Sequence, residues 1–124
     1  MKPETLLIVG KGDCIDTICR EFEDNVRITY GEFCGEHFDG YSKILFVGAL
    51  GICVRSIAPF IKDKHTDPAV VCADSCGNKV ISVLSGHVGG ANTLAKEIAA
   101  IIGGEAVITT RSDNSGLWAL DTIG

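Results

Sequence analysis

The stretch Lys43–Gly48 (KILFVG) is the clearest buried strand in the chain, because four consecutive apolar residues run directly into a glycine. A glycine-bounded turn, Gly48–Gly51, follows the strand. Beyond it, apolar residues recur at helical spacing until Pro59 interrupts them. A buried strand followed at once by a helix is typical of a parallel sheet covered by helices.

The same alternation extends to both sides of this stretch. Residues 69–73 and 79–84 predict two strands, and the short polar loop between them predicts a β-hairpin. Outside these, the pattern predicts strands over 6–10, 26–30 and 106–110 and helices over 13–22 and 91–102, with residues 32–41 left as a loop that can include a helical turn. The order predicts an α/β fold with three layers: a mostly parallel sheet, helices on both faces and one hairpin.

Composition limits the class of protein. The chain has 124 residues, of which 46% are hydrophobic and 22% charged, so we expect a single globular domain over residues 1–124. The formal net charge of −5 has the wrong sign for a nucleic-acid binder, but it leaves room for a local basic pocket that takes a small anion.

The cellular compartment is predicted from what the sequence lacks. No apolar run approaches the roughly 18 residues of a membrane span, and no secretion signal precedes the first strand. We therefore expect a cytoplasmic protein with no membrane partner, in which the six cysteines are reduced. The cysteines form no C-x-x-C pair and the histidines are isolated, so no protein-bound metal and no cofactor are expected.

Three turns are the candidate site. Ligands of open α/β sheets bind outside the carboxyl ends of the strands. We therefore expect Gly48–Gly51, Ser85–Asn92 and 109–113 to meet at one edge of the sheet and form a polar cradle.

The segment Ser85–Asn92 (SGHVGGAN) carries the strongest signal. Its position before a helix leaves backbone N–H groups free to bind an anionic oxygen, and its glycines allow a ligand to approach closely. His87 can accept or donate a proton near neutral pH. The alternative is a tight turn capped by Asn92. The segment has neither the G-x-G-x-x-G spacing nor the lysine of a phosphate-binding loop.

Charged residues near these turns are the remaining candidates. Arg55, Lys62, Lys64 and His65 lie within eleven residues and suit a ligand that carries carboxylates, although the lysines also fit a solvated surface loop. Asp67 or Asp113 could orient His87 or act as a general base, although each alone is more often a turn-capping residue.

Several motifs in this sequence resemble the N-terminal region of the cobalt-precorrin 5A hydrolase family (CbiG). They are Ser82–Asn92 (SVLSGHVGGAN), Asp67–Val71 (DPAVV), the pattern G-x-x-G-I-x-V-R-x-I-A-P over 48–59, and VITT over 107–110 with Asp113. The resemblance covers about residues 44–121. In the family a linker and a separate C-terminal domain follow this region.

The resemblance implies a step of oxygen-independent cobalamin biosynthesis. Family members open the δ-lactone of cobalt-precorrin 5A, release acetaldehyde and give cobalt-precorrin 5B. Cobalt belongs to this substrate, a tetrapyrrole rich in carboxylates. The alternative is a non-catalytic tetrapyrrole-binding module that acts with a C-terminal domain or a partner protein.

The resemblance divides the predicted site residues into catalytic residues and substrate-binding residues. His87 is the expected base, with Asp113 or Asp67 orienting it, and backbone N–H groups over 86–91 would stabilise the oxyanion. The expected substrate-binding residues are Gly48, Gly51, Arg55, Lys62, Lys64, Ser85, Gly86, Gly89, Gly90, Asn92, Thr109 and Thr110.

Overall fold

The computed structural model describes residues 4–63, 65–85 and 90–109. Alternating strands and helices make up this part of the chain. In order they are β1 (Leu6–Gly10), α1 (Ile15–Glu21), β2 (Asn25–Ile28), α2 (Gly35–Gly40), β3 (Lys43–Val47), α3 (Leu50–Ile57), β4 (Ala69–Ala73), β5 (Lys79–Leu84), α4 (Ala91–Ile102) and β6 (Glu105–Val107), with 3₁₀ turns at Tyr30–Glu32 and Ala58–Phe60.

The described strands form one sheet in the order β2-β1-β3-β4-β5-β6. The first four strands run in the same direction. β5 is antiparallel to β4, and β6 is parallel to β5. The predicted hairpin and the mostly parallel sheet are therefore confirmed, and the last two strands run opposite to the first four.

Helices cover both faces of the sheet, as predicted. Alternate residues of a strand point to opposite faces, so Leu6 and Ile8 pack beneath α1 and α4 while Leu7 and Val9 pack beneath α2 and α3. All four of these side chains are fully buried. The continuous apolar runs of the central strands result from this burial on two sides.

A helix end is predictable where the local sequence contains a strong signal, such as a glycine after the last apolar residue. The predicted helix over 91–102 is confirmed, and it ends at Gly103 (φ 71°), where the N–H of Gly104 donates to the carbonyl of Ala99. The segment left as a loop over 32–41 forms α2, whose Phe38 is fully buried.

In the part of the chain described here, every helix is too short or too polar to cross a lipid bilayer.

Candidate functional site

Strand direction separates the turns that we expected to meet. Gly48 follows β3, and its N–H donates to the carbonyl of Ala73 at the carboxyl end of β4 (2.9 Å). Because β5 is antiparallel to β4, its last residue, Leu84, pairs with Val70 near the amino end of β4. The prediction of one shared edge is therefore wrong: Gly48–Gly51 and Ser85 lie at opposite edges of the sheet.

The edge at the amino end of β4, which we call the Asp67–Ser85 edge, brings together part of the predicted set. Asp67 is only 8% exposed, and its carboxylate Oδ2 accepts the backbone N–H groups of Lys62 (2.8 Å) and Asp63 (3.1 Å). The carboxylate thus closes the loop over 61–67. Ser85 Oγ donates to the Asp67 carbonyl (3.4 Å), which attaches β5 to this loop.

The described ends of the glycine-rich segment meet at the same edge. The N–H of Ala91 donates to the carbonyl of Ser85 (3.2 Å), and Ser85 itself has a φ of 60°, a left-handed value that non-glycine residues seldom adopt. Gly90, before α4, has a φ of 89°. Ser82 Oγ donates to Asn92 Oδ1 (2.7 Å), so Asn92 holds the start of α4 against β5.

Other predicted site residues are only partly accounted for. Thr109 follows β6, which is parallel to β5, and it lies exposed toward the Asp67–Ser85 edge. His87, Asp113, Lys64, Gly86, Gly89 and Thr110 lie outside the described residues. Their predicted roles stay predictions.

The predicted basic cluster does not present a uniform set of free cations. Lys62 Nζ pairs with Asp39 Oδ1 (2.9 Å) and lies 5.7 Å from the centre of the Phe38 ring. Arg55 is exposed on the last turn of α3 and forms no ion pair with any residue that the structure describes. Of the two, Arg55 retains its full capacity to bind a carboxylate.

At the opposite edge, the close packing of Tyr30 against the end of β3 explains two glycines. Its hydroxyl donates to the carbonyl of Val47. A Cβ at Gly48 (φ 143°) would overlap this hydroxyl, and a Cβ at Gly10 (φ 116°) would overlap the Val47 carbonyl oxygen. The glycine that we predicted to admit substrate is therefore required by the close packing of a tyrosine.

The Cys53 thiol and the Tyr30 hydroxyl behind this edge both have raised pKa values. A hydrogen bond to Cys72 and burial both raise the pKa of the Cys53 thiol above its ordinary value. Burial, with smaller contributions from Cys72 and Cys53, also raises the pKa of the Tyr30 hydroxyl. Tyr30 thus stays protonated at neutral pH and remains a hydrogen-bond donor.

A cleft lies beside Tyr30 at the carboxyl ends of β1 and β3. It has a volume of about 340 Å³ and is lined by the two strand ends and by Lys11, Thr29, Tyr30, Ala49 and Ile52. We call it the switch-point cleft, since β2 lies on one side of β1 and β3 lies on the other. This cleft is not among the sites predicted from the sequence. The available signal was Gly10-Lys11-Gly12 directly after the first strand, which could be assigned to a site only once the strand order was known.

No three His, Cys, Asp or Glu side chains within the described ranges lie close enough together to hold a metal ion.

The fold defines a class: a doubly wound α/β domain whose connecting loops lie at the two edges of the sheet. A family model described as cobalamin synthesis G N-terminal matches residues 32–113, which is more than half of the chain. The chain therefore belongs to this family, and the resemblance found in the motifs is confirmed.

The names of two curated relatives agree with this family. The chain is 50% identical over 86 residues to a cobalt-precorrin-5A hydrolase of Salmonella typhimurium and 44% identical over 114 residues to one of Priestia megaterium. These alignments cover 69% and 92% of this chain but only 24% and 29% of the relatives. The chain thus spans less than a third of the length of the curated relatives it matches.

A solved structure confirms the fold. The crystal structure of a cobalamin biosynthesis protein G homolog from Sulfolobus solfataricus superposes with a TM-score of 0.72 at 32% identity. The match covers 86% of this chain and 36% of that chain.

Proposed function

We propose that this chain acts in cobalamin biosynthesis as part of a cobalt-precorrin-5A hydrolase, which opens the δ-lactone of its substrate with release of acetaldehyde. The observation that carries the proposal is the identity of 44–50% to two hydrolases of that name. Both names favour a hydrolase over a binding module without catalytic activity.

The Asp67–Ser85 edge is the proposed place of the reaction. It joins the loop held by Asp67, the end of β5 and the start of α4 through hydrogen bonds between them. These contacts position both described ends of the segment that contains His87. Groups held in this way lose little additional freedom when a substrate binds, which is the condition for efficient catalysis.

The chemistry requires two contributions from this edge. Hydrolysis of a lactone begins with attack of water on the carbonyl carbon, and a base must take the proton of that water. We assign this role to His87. The tetrahedral oxyanion that results needs hydrogen-bond donors, and in other enzymes the loss of one such donor costs about 3 kcal/mol. Backbone N–H groups over 86–91 are the proposed donors.

Arg55 lies in the last turn of α3, the helix end from which the chain leads into the loop over 61–67, and its exposed guanidinium would bind the substrate from there. A tetrapyrrole that carries carboxylates presents several partners for it. Lys62 is the weaker candidate because its ammonium is already paired with Asp39.

The experiment measures acetaldehyde release from cobalt-precorrin 5A, with the protein purified from its own host. We expect His87→Ala to lower turnover by about a hundredfold or more, the usual contribution of a positioned base. His65→Ala is the matched control because His65 is exposed in a loop and is not a predicted catalytic residue. Circular dichroism checks that both variants are folded.

The result separates the hypotheses. Turnover that is unchanged in His87→Ala would remove His87 from the mechanism. Tight, salt-sensitive binding of the tetrapyrrole, weakened by Arg55→Ala and without any acetaldehyde release by the wild-type protein, would favour the binding module instead.

A further inference from the structure

The switch-point cleft lies where open α/β sheets most often bind ligands. The connection from β1 leads to β2 on one side, and the connection from β2 returns across β1 to β3 on the other. Loops that leave the carboxyl ends of β1 and β3 therefore diverge and leave a crevice between them. The cleft of about 340 Å³ occupies this crevice.

The walls of the cleft are mainly apolar. One wall is the Tyr30 ring, which stacks on Phe46 with ring centres 6.2 Å apart, and the other includes Ala49 and Ile52. Ile52 is 43% exposed and the neighbouring Leu50 is 41% exposed, so the apolar surface continues outward from the cleft. Such walls suit an aromatic or aliphatic body.

The cleft has one charged lining residue, Lys11, which is exposed to solvent. Lys11 lines the cleft, and no described residue forms an ion pair with it. None of the lining residues is acidic, although the chain as a whole has a net charge of −5. A cation left without a counter-ion beside an apolar wall favours a ligand that supplies the negative charge.

We propose that the switch-point cleft binds a small organic anion with an apolar body, held by its carboxylate or phosphate group on Lys11 and by its body against Tyr30 and Ile52. The volume is close to the lower end of the usual 300–1,000 Å³ for ligand pockets, so the ligand is a small molecule and not a macrocycle or a dinucleotide. The cleft lies at the edge opposite to Asp67 and Ser85, and it is therefore a second site. The proposal does not depend on the hydrolase assignment.

The test is a titration of the ¹⁵N-labelled chain with benzoate, phenyl phosphate and neutral benzyl alcohol, followed by the amide signals. We expect at least one of the two anions to shift the signals of Gly10 and Gly48 while that of Ala91, at the other edge, stays unchanged. Benzyl alcohol should bind at least about tenfold more weakly than that anion, a difference of about 1.4 kcal/mol. Comparison of the two anions shows whether the cleft prefers a carboxylate or a phosphate.

Two variants in the cleft and one control variant test the geometry. Lys11→Gln should weaken binding of the anion about tenfold, whereas Lys96→Gln, on the exposed side of α4, should leave it unchanged. Ala49→Phe places a ring into the cleft from an exposed position and should abolish binding. The proposal is overturned if no anion shifts these signals at tens of millimolar, if the shifts cluster at another surface, or if Lys11→Gln binds the anion as tightly as the wild type.

Discussion

Gly48 and Gly51 lie three residues apart, and the structure requires glycine at only one of them. Gly48 has a φ of 143° and packs directly beneath the Tyr30 hydroxyl. Gly51 lies in the first turn of α3, where an added Cβ would meet no atom within 4 Å. Their substitutions should therefore have opposite effects on stability.

We expect Gly48→Ala to lower the free energy of unfolding by about 2 to 4 kcal/mol, because both the backbone conformation and the contact with Tyr30 become unfavourable. Gly51→Ala should raise it by about 0.5 to 1 kcal/mol, since alanine has the higher helix propensity. Urea unfolding measures both values.

A double variant identifies the contact. Tyr30→Phe removes the hydroxyl that the new Cβ would overlap, so Gly48→Ala should cost about 1 kcal/mol less in the Tyr30→Phe background. Equal costs in the two backgrounds would mean that Tyr30 is not what requires the glycine.

At the scale of elements, the connection between α3 and β4 depends on one buried carboxylate. Asp67 Oδ2 accepts two backbone N–H groups of the loop over 61–67, and the Asp67 carbonyl accepts the hydroxyl of Ser85. Asp67 thus behaves as the turn-capping residue that the sequence analysis gave as the alternative to a catalytic role. Its proposed effect on His87 stays a prediction.

Asp67→Asn should lower the free energy of unfolding by about 1 to 2 kcal/mol, because hydrogen bonds to a charged acceptor are about twice as strong as those to a neutral one. Asp63→Asn is the matched control in the same loop, where an exposed carboxylate accepts the N–H of His65. Its effect should stay within about 0.5 kcal/mol. If the two variants lose the same amount, the Asp67 carboxylate does not hold the loop.

For the whole molecule, the important fact is the separation of the two edges. Gly48 and Asp67 lie at opposite ends of β4, whose five residues span about 16 Å. They share no hydrogen-bond partner among the described residues. The two edges should therefore behave as independent units.

The double variant Gly48→Ala/Asp67→Asn should lose the sum of the two single losses to within about 0.5 kcal/mol. Urea unfolding of the four proteins tests this additivity. A coupling of 1 kcal/mol or more would show that the edges communicate through the sheet, and the cleft and the Asp67–Ser85 edge could then not be treated as separate sites.

Much of the architecture was predictable because it depends on neighbours in the sequence. Helix α4 was predicted with its observed ends, since its apolar spacing is regular and Gly103 allows a left-handed end. The hairpin was also predicted, and it already implies that β5 runs opposite to β4. The expectation that Ser85–Asn92 and Gly48–Gly51 share an edge overlooked this reversal of strand direction.

The amino-acid sequence alone determined the strands, the helices other than α2, the family and the composition of the glycine-rich segment, because each depends on local periodicity or on motifs of adjacent residues. Only the tertiary structure decided the strand order, and with it which turns become neighbours. A strand's neighbours in a sheet are chosen by long-range burial on two faces, and no local pattern encodes them. For this reason the Asp67–Ser85 edge and the switch-point cleft are properties of the folded chain.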